Sequence, residues 1–106
     1  MDSILNKLEK ILEERKSSSS DQSYVSSLYS KGTSSILDKI SEESEEVINA
    51  VNEEGREEVI HEVADLWFHL LVLLRHENIQ IEEIEAELAR RFGVSGHDEK
   101  ASRKNS

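Results

Sequence analysis

The stretch Lys39 to Leu74, KISEESEEVINAVNEEGREEVIHEVADLWFHLLVLL, decides the fold. It divides at NEEGR into two segments of helical spacing, each holding two acids three residues apart: Glu43 and Glu46 in the first, Glu62 and Asp65 in the second. On a helix, positions i and i+3 are neighbours on one face. Two such helices packed together aim four carboxylates at one place, a donor set suited to a hard divalent cation such as Mg²⁺ or Mn²⁺.

Turning roughly 100° per residue from Glu43 puts Ile36, Ile40, Val47 and Val51 on one arc and Lys39, Glu46 and Ala50 on the other side. Glu42 and Glu45 fall farther round, towards water. Of the two overlapping Glu-x-x-Glu pairs, Glu43 and Glu46 are therefore expected to border the core. In the second segment Val59, Ile60, Val63, Ala64, Leu66, Trp67, Leu70, Leu71, Leu73 and Leu74 cover nearly the whole circumference, as in a helix buried on several sides. One polar strip remains, holding Glu58, His61, Glu62, Asp65 and His69 within about 60° of Asp65. Ionised carboxylates beside so much apolar surface need a cation, a metal or solvent access.

Outward from this pair, residues 2–16 place Ile4, Leu5, Leu8, Ile11 and Leu12 on one stripe, with Asp2 or Ser3 as cap. Ser17 to Gln22 is a polar loop. Tyr24, Val25, Leu28 and Tyr29 predict a short helix over 23–31, stopped by Gly32, with Thr33, Ser34 or Ser35 capping the next. Asn78 suits a left-handed turn residue. Ile81 to Phe92 predicts a last helix with Ile81, Ile84, Leu88 and Phe92 inward and Gly93 at its end. The predicted class is all-α: a small bundle of four to five helices in a domain over 1–93, followed by a polar, basic tail over 94–106.

Composition agrees. The 106 residues include no Pro and four Gly, which favours helix throughout, and no Cys, which removes disulfides and thiolate metal sites. The apolar run Leu66 to Leu74 is too short to span a bilayer, and the start carries no signal-peptide core, so a soluble cytoplasmic protein with no membrane partner is expected. A net charge of −10 argues against nucleic acid as partner. Acids dominate between Lys39 and Asp65, whereas Arg90, Arg91, Lys100, Arg103 and Lys104 make the C-terminal end basic. A cation site and an anion site in one small chain suit a metal-phosphate ligand.

Glu-rich helices are commonly just solvated faces, and a single Glu-x-x-Glu pair carries little information. Two pairs beside apolar arcs carry more. A carboxylate site favours Mg²⁺, which usually also binds substrate phosphates, so the residues alone point to Mg²⁺-dependent phosphoanhydride chemistry. Glu58-x-x-His61 is one half of a di-iron bundle signature, but the chain has no second Glu-x-x-His. His69 reads more readily as a satisfied histidine in an apolar helix than as a ligand, and Trp67 and Phe68 as core or dimer contacts.

The sequence resembles the phosphoribosyl-ATP pyrophosphatases of histidine biosynthesis, within the MazG-like all-α nucleotide pyrophosphohydrolases. The superfamily pattern of Glu-x-x-Glu followed by Glu-x-x-Asp is met by Glu43, Glu46, Glu62 and Asp65. The segments SYVSSLYSKG (23–32), KISEESEEVINA (39–50), EVADLWFHLLVLL (62–74) and ARRFGVSGHDEKASRK (89–104) are similar to the histidine-pathway branch. Ser41, Ser44 and His97 depart from its usual residues, away from the ligand positions. The resemblance implies a Mg²⁺-dependent homodimer that hydrolyses phosphoribosyl-ATP to phosphoribosyl-AMP and pyrophosphate, with the four acids as metal ligands and catalytic residues. It also implies Lys39, Ser95, Lys100 and Arg103 as substrate contacts. The alternatives are a house-cleaning nucleotide pyrophosphatase acting on dUTP or a noncanonical nucleotide, and a non-enzymatic acidic helical interaction module.

Overall fold

The computed structural model describes residues 3–17 and 23–92, and all of its regular structure is helical. Five helices follow in order: α1 (Ile4–Arg15), α2 (Tyr24–Lys31), α3 (Thr33–Glu53), α4 (Arg56–His76) and α5 (Ile81–Arg91). The all-α class and the helix count are as expected. Ser95, Lys100 and Arg103, with the rest of the basic tail and Gly93, lie outside the described residues.

Short-range chemistry sets the ends of the helices. Ser3 caps α1 by accepting from the Asn6 amide, and Ser23 caps α2 by accepting from the Ser26 amide. Gly32 ends α2 at φ 93, a backbone conformation that only glycine adopts without strain. The cap expected from Thr33, Ser34 or Ser35 is absent, since Gly32 itself occupies the N-cap of α3. Thr33 instead uses its hydroxyl 2.9 Å from His76 Nε2, joining the start of α3 to the end of α4. Asn78 takes φ 59 in the turn after α4, and Glu83 accepts from the Gln80 amide at the start of α5.

Helices α3 and α4, linked through only Glu54 and Gly55, form an antiparallel hairpin and the most extensive contact in the fold. Against it pack α1, on α4, and α2, on α3, while α5 packs on α1. The core is Leu12, Leu28, Ile36, Leu71, Val72 and Ile81, ringed by Leu5, Leu8, Val25, Tyr29, Ile40 and Phe68 among others. One buried ionic cluster joins the same elements: Arg75, 5% exposed, holds Glu13 at 2.9 Å and Glu9 at 3.4 Å and donates to the Ile79 carbonyl. Glu9 also accepts from the Ile81 amide at 2.9 Å, so α1 closes the α4–α5 turn.

Several inward expectations are corrected. Ile84, Leu88 and Phe92 are 40%, 60% and 87% exposed, leaving Ile81 as the buried residue of α5. Val51 on α3 and Ile60, Trp67 and Leu70 on α4 are also exposed, so α4 is not covered on all the sides that its apolar circumference suggests. A single 106-residue chain has too few elements to cover every face of a central helix.

Tyr29 is enclosed with its hydroxyl lacking a hydrogen-bond partner. Burial pushes this phenol up to about 12, Glu13 adding to the shift and Arg75 opposing it. Because the folded value lies above the ordinary 10.0, the stability from keeping the phenol neutral is complete below pH 10 and is lost as pH rises through about 12. Tyr29→Phe, which deletes the unpaired hydroxyl, is expected to raise stability by about 1 kcal/mol and to remove this alkaline loss. Thermal melts of both proteins at neutral and high pH check it, and a fall in neutral-pH stability would refute it.

Candidate metal centre

The α3–α4 hairpin carries all four acids, Glu43 and Glu46 on α3 and Glu62 and Asp65 on α4. Among the described residues, His61, Glu62 and Asp65 form a group whose ligand atoms all lie within 4.8 Å of one another. His61 Nε2 is 3.5 Å from Asp65 Oδ2 and 4.0 Å from Glu62 Oε1. Glu62 is largely enclosed, at 15% side-chain exposure, while Asp65 is more open and His61 is exposed.

Glu43, across the hairpin on α3, is 12% exposed at its side chain and lies 3.9 Å from Lys39. Glu46 is exposed, which corrects its expected place at the core border, and neither α3 acid belongs to the close group. Both nevertheless act on it. Desolvation raises the Glu62 carboxyl above its ordinary range; His61 opposes this, and the negative charges of Asp65, Glu43 and Glu46 push the same way as burial. Glu62 is thus the acid on which the negative charges of the other three act, while only Asp65 stands with it and His61 in the close group. Glu42 is turned away, 61% exposed, and its carboxylate is 2.9 Å from the Lys39 ammonium. That hydrogen bond is the main reason the Lys39 pKa is raised.

His61 is the residue that the ligand argument from the sequence left out of this group. Its i, i+4 spacing to Asp65 on the polar strip of α4 was the available signal. Glu58, its partner in the di-iron signature, is exposed and outside the group. His69 is satisfied as expected: 5% exposed, with Nδ1 2.8 Å from the Asp65 carbonyl and Nε2 2.8 Å from the Tyr24 hydroxyl.

The donor set fits a hard divalent cation. Repulsion among Glu62, Asp65, Glu43 and Glu46 is what a doubly charged ion relieves, and carboxylate oxygens are its preferred donors. Asp65 and His61 also border a cavity of about 370 Å³, walled by Leu5, Leu8, Trp67, Phe68 and Leu71. Charged and apolar surfaces thus meet at α4.

Residues 5–92 match the family described as phosphoribosyl-ATP pyrophosphohydrolase. The chain belongs to this family. Proteins named phosphoribosyl-ATP pyrophosphatase resemble it along essentially its whole length. That of Vesicomyosocius okutanii subsp. Calyptogena okutanii is 62% identical over 99% of this chain and 100% of its own. Those of Geobacter metallireducens and Hydrogenovibrio crunogenus are 52% and 47% identical over 96% and 94% of this chain, and over 94% and 92% of their own. Membership of the phosphoribosyl-ATP pyrophosphohydrolase family makes the chain a hydrolase of histidine biosynthesis.

Proposed function

We propose that the protein hydrolyses phosphoribosyl-ATP to phosphoribosyl-AMP and pyrophosphate with Mg²⁺ as cofactor. The observation that carries this reading is the convergence of Glu62, Asp65 and His61 under the electrostatic influence of Glu43 and Glu46, in a chain of this family.

Glu62, Asp65, Glu43 and Glu46 are the residues that would hold the ion. Bound there, Mg²⁺ supplies neutralisation of phosphate charge and a lowered pKa for coordinated water. The chain's own groups do the rest. Lys39 places the triphosphate, exchanging its bond with Glu42 for a phosphate oxygen. The apolar cavity beside Asp65 has the size and lining of a small-molecule site and suits the nucleobase. Water attacks the α-phosphorus, the new P–O bond forms as the α,β-anhydride bond breaks, and pyrophosphate leaves; positioning and electrostatics provide the acceleration. Ser95, Lys100 and Arg103 are proposed as further contacts to the phosphates or the phosphoribosyl group.

The working form is proposed to be a cytoplasmic homodimer. Trp67, Leu70, Leu74, Ile84 and Leu88 line a second apolar groove, of about 230 Å³, on the face where α4 and α5 are uncovered. A second copy would remove that surface from water; sedimentation at the monomer mass would argue against it.

Pyrophosphate release from phosphoribosyl-ATP, with and without Mg²⁺ and beside a panel of dUTP and noncanonical nucleotides, tests the function. Release that depends on Mg²⁺ and favours phosphoribosyl-ATP is expected. Preference for another nucleotide would move the protein to the house-cleaning class, and no release from any would leave the interaction-module reading.

A further inference from the structure

Tyr24 stands at the first position of α2, half exposed, yet its hydroxyl is fixed to a buried partner 45 residues away. The direction of each hydrogen bond in this chain follows from chemistry. The Asp65 carbonyl can only accept, so His69 Nδ1, 2.8 Å from it, carries the hydrogen. In the neutral ring Nε2 then keeps its lone pair, and the Tyr24 hydroxyl, 2.8 Å away, donates to it. Phe68 and Tyr24 both meet the His69 ring edge-on, which holds the imidazole in this orientation.

With its only proton committed, the phenol oxygen can act towards anything else solely as an acceptor. Its place beside the acids is set by the same two bonds, since the ring it touches at 2.8 Å is itself held 2.8 Å from the backbone carbonyl of Asp65; Lys39, Glu43, Glu42 and Asp65 act electrostatically on this hydroxyl. It has no hydrogen-bond partner other than His69 among the described residues. An acceptor in that place refuses phosphate and carboxylate oxygens, which are themselves acceptors, and takes a donor. In a nucleotide whose phosphates lie at the acids, the donors next along the molecule are the sugar hydroxyls.

We propose that Tyr24 is a specificity-determining residue, its oxygen receiving a hydrogen bond from a ribose hydroxyl of the substrate, and that His69 is the positioning residue that makes it acceptor-only. The inference rests on the proposed hydrolysis of a ribonucleotide at the acid cluster. It differs from a simple structural tie between α2 and α4, which would affect every substrate alike.

Steady-state kinetics on phosphoribosyl-ATP, and on its counterparts lacking the 2′- or the 3′-hydroxyl of the adenosine ribose, separate these roles. Tyr24→Phe is expected to raise KM for phosphoribosyl-ATP by about threefold to tenfold, the range for one lost hydrogen bond, with kcat within about twofold. On one of the two deoxy substrates that penalty should vanish, since the partner is already missing. His69→Gln, whose side-chain oxygen can accept from Tyr24 as Nε2 does, should retain the wild-type KM, whereas His69→Leu should follow Tyr24→Phe. An unchanged KM in Tyr24→Phe, or an equal penalty on all three substrates, overturns the proposal. Wild-type protein that releases no pyrophosphate from phosphoribosyl-ATP overturns the functional reading beneath it, a different result from either.

Discussion

Glu62→Gln and Asp65→Asn are each expected to lower Mg²⁺-dependent pyrophosphate release by about 10²-fold to 10³-fold, the usual loss when a preorganised electrostatic group is removed from an active site. Both substitutions keep the shape of the side chain and delete its charge at the point where the acids crowd closest. Glu45→Gln, exposed on α3 and outside the group, is the control and should stay within about twofold of wild type. A stability readout makes the test independent of turnover. A hundredfold excess of Mg²⁺ over its Kd should stabilise the wild-type chain by about 2.7 kcal/mol, roughly 10 °C for a domain of this size, and Glu62→Gln should abolish the shift.

The pH dependence of this stabilisation follows from the Glu62 carboxyl. Its folded pKa is raised, foremost by burial, so ionising this carboxyl without metal opposes the fold and stability falls as pH rises through the folded value. Glu62→Gln should therefore make the metal-free protein slightly more stable at neutral pH. The ion requires the carboxylate, so protons compete with Mg²⁺ as pH falls towards that raised value, and the thermal shift should shrink in the same window. Equal Mg²⁺ shifts in wild type and Glu62→Gln would remove Glu62 from the ligand set.

Arg75→Met is expected to cost about 3–5 kcal/mol, the largest stability loss of any single substitution proposed for this chain. Arg75 is 5% exposed, and removing it leaves Glu9, enclosed at 12% side-chain exposure, without its cation. Glu9 would then lose its charge partner while still bound to the Ile81 amide, and the anchorage of α1 and of the α4–α5 turn would weaken together. Adding Glu9→Gln and Glu13→Gln to Arg75→Met should recover much of the loss, because the cost lies in an unpaired buried charge more than in the ion pair itself. Urea unfolding of the single and triple variants measures this. A loss under about 1 kcal/mol for Arg75→Met would show that the cluster is solvated.

The sequence by itself determined the helices, the turns and the candidate chemistry. Ser3, Ser23, Gly32 and Asn78 mark boundaries because capping and left-handed turns involve neighbours only a few positions apart. The three- and four-residue spacing of acids and apolar residues likewise placed Glu43, Glu62 and Asp65 on strips beside the core. Tertiary structure decided what those strips meet. It enclosed Glu62 and left Glu46 open, joined Arg75 to Glu13 across 62 residues and Tyr24 to His69 across 45, and left Trp67, Leu88 and Phe92 uncovered. Periodicity states which residues share a face of one helix; which face of another helix lies opposite is set by how all five pack, and no local spacing encodes that.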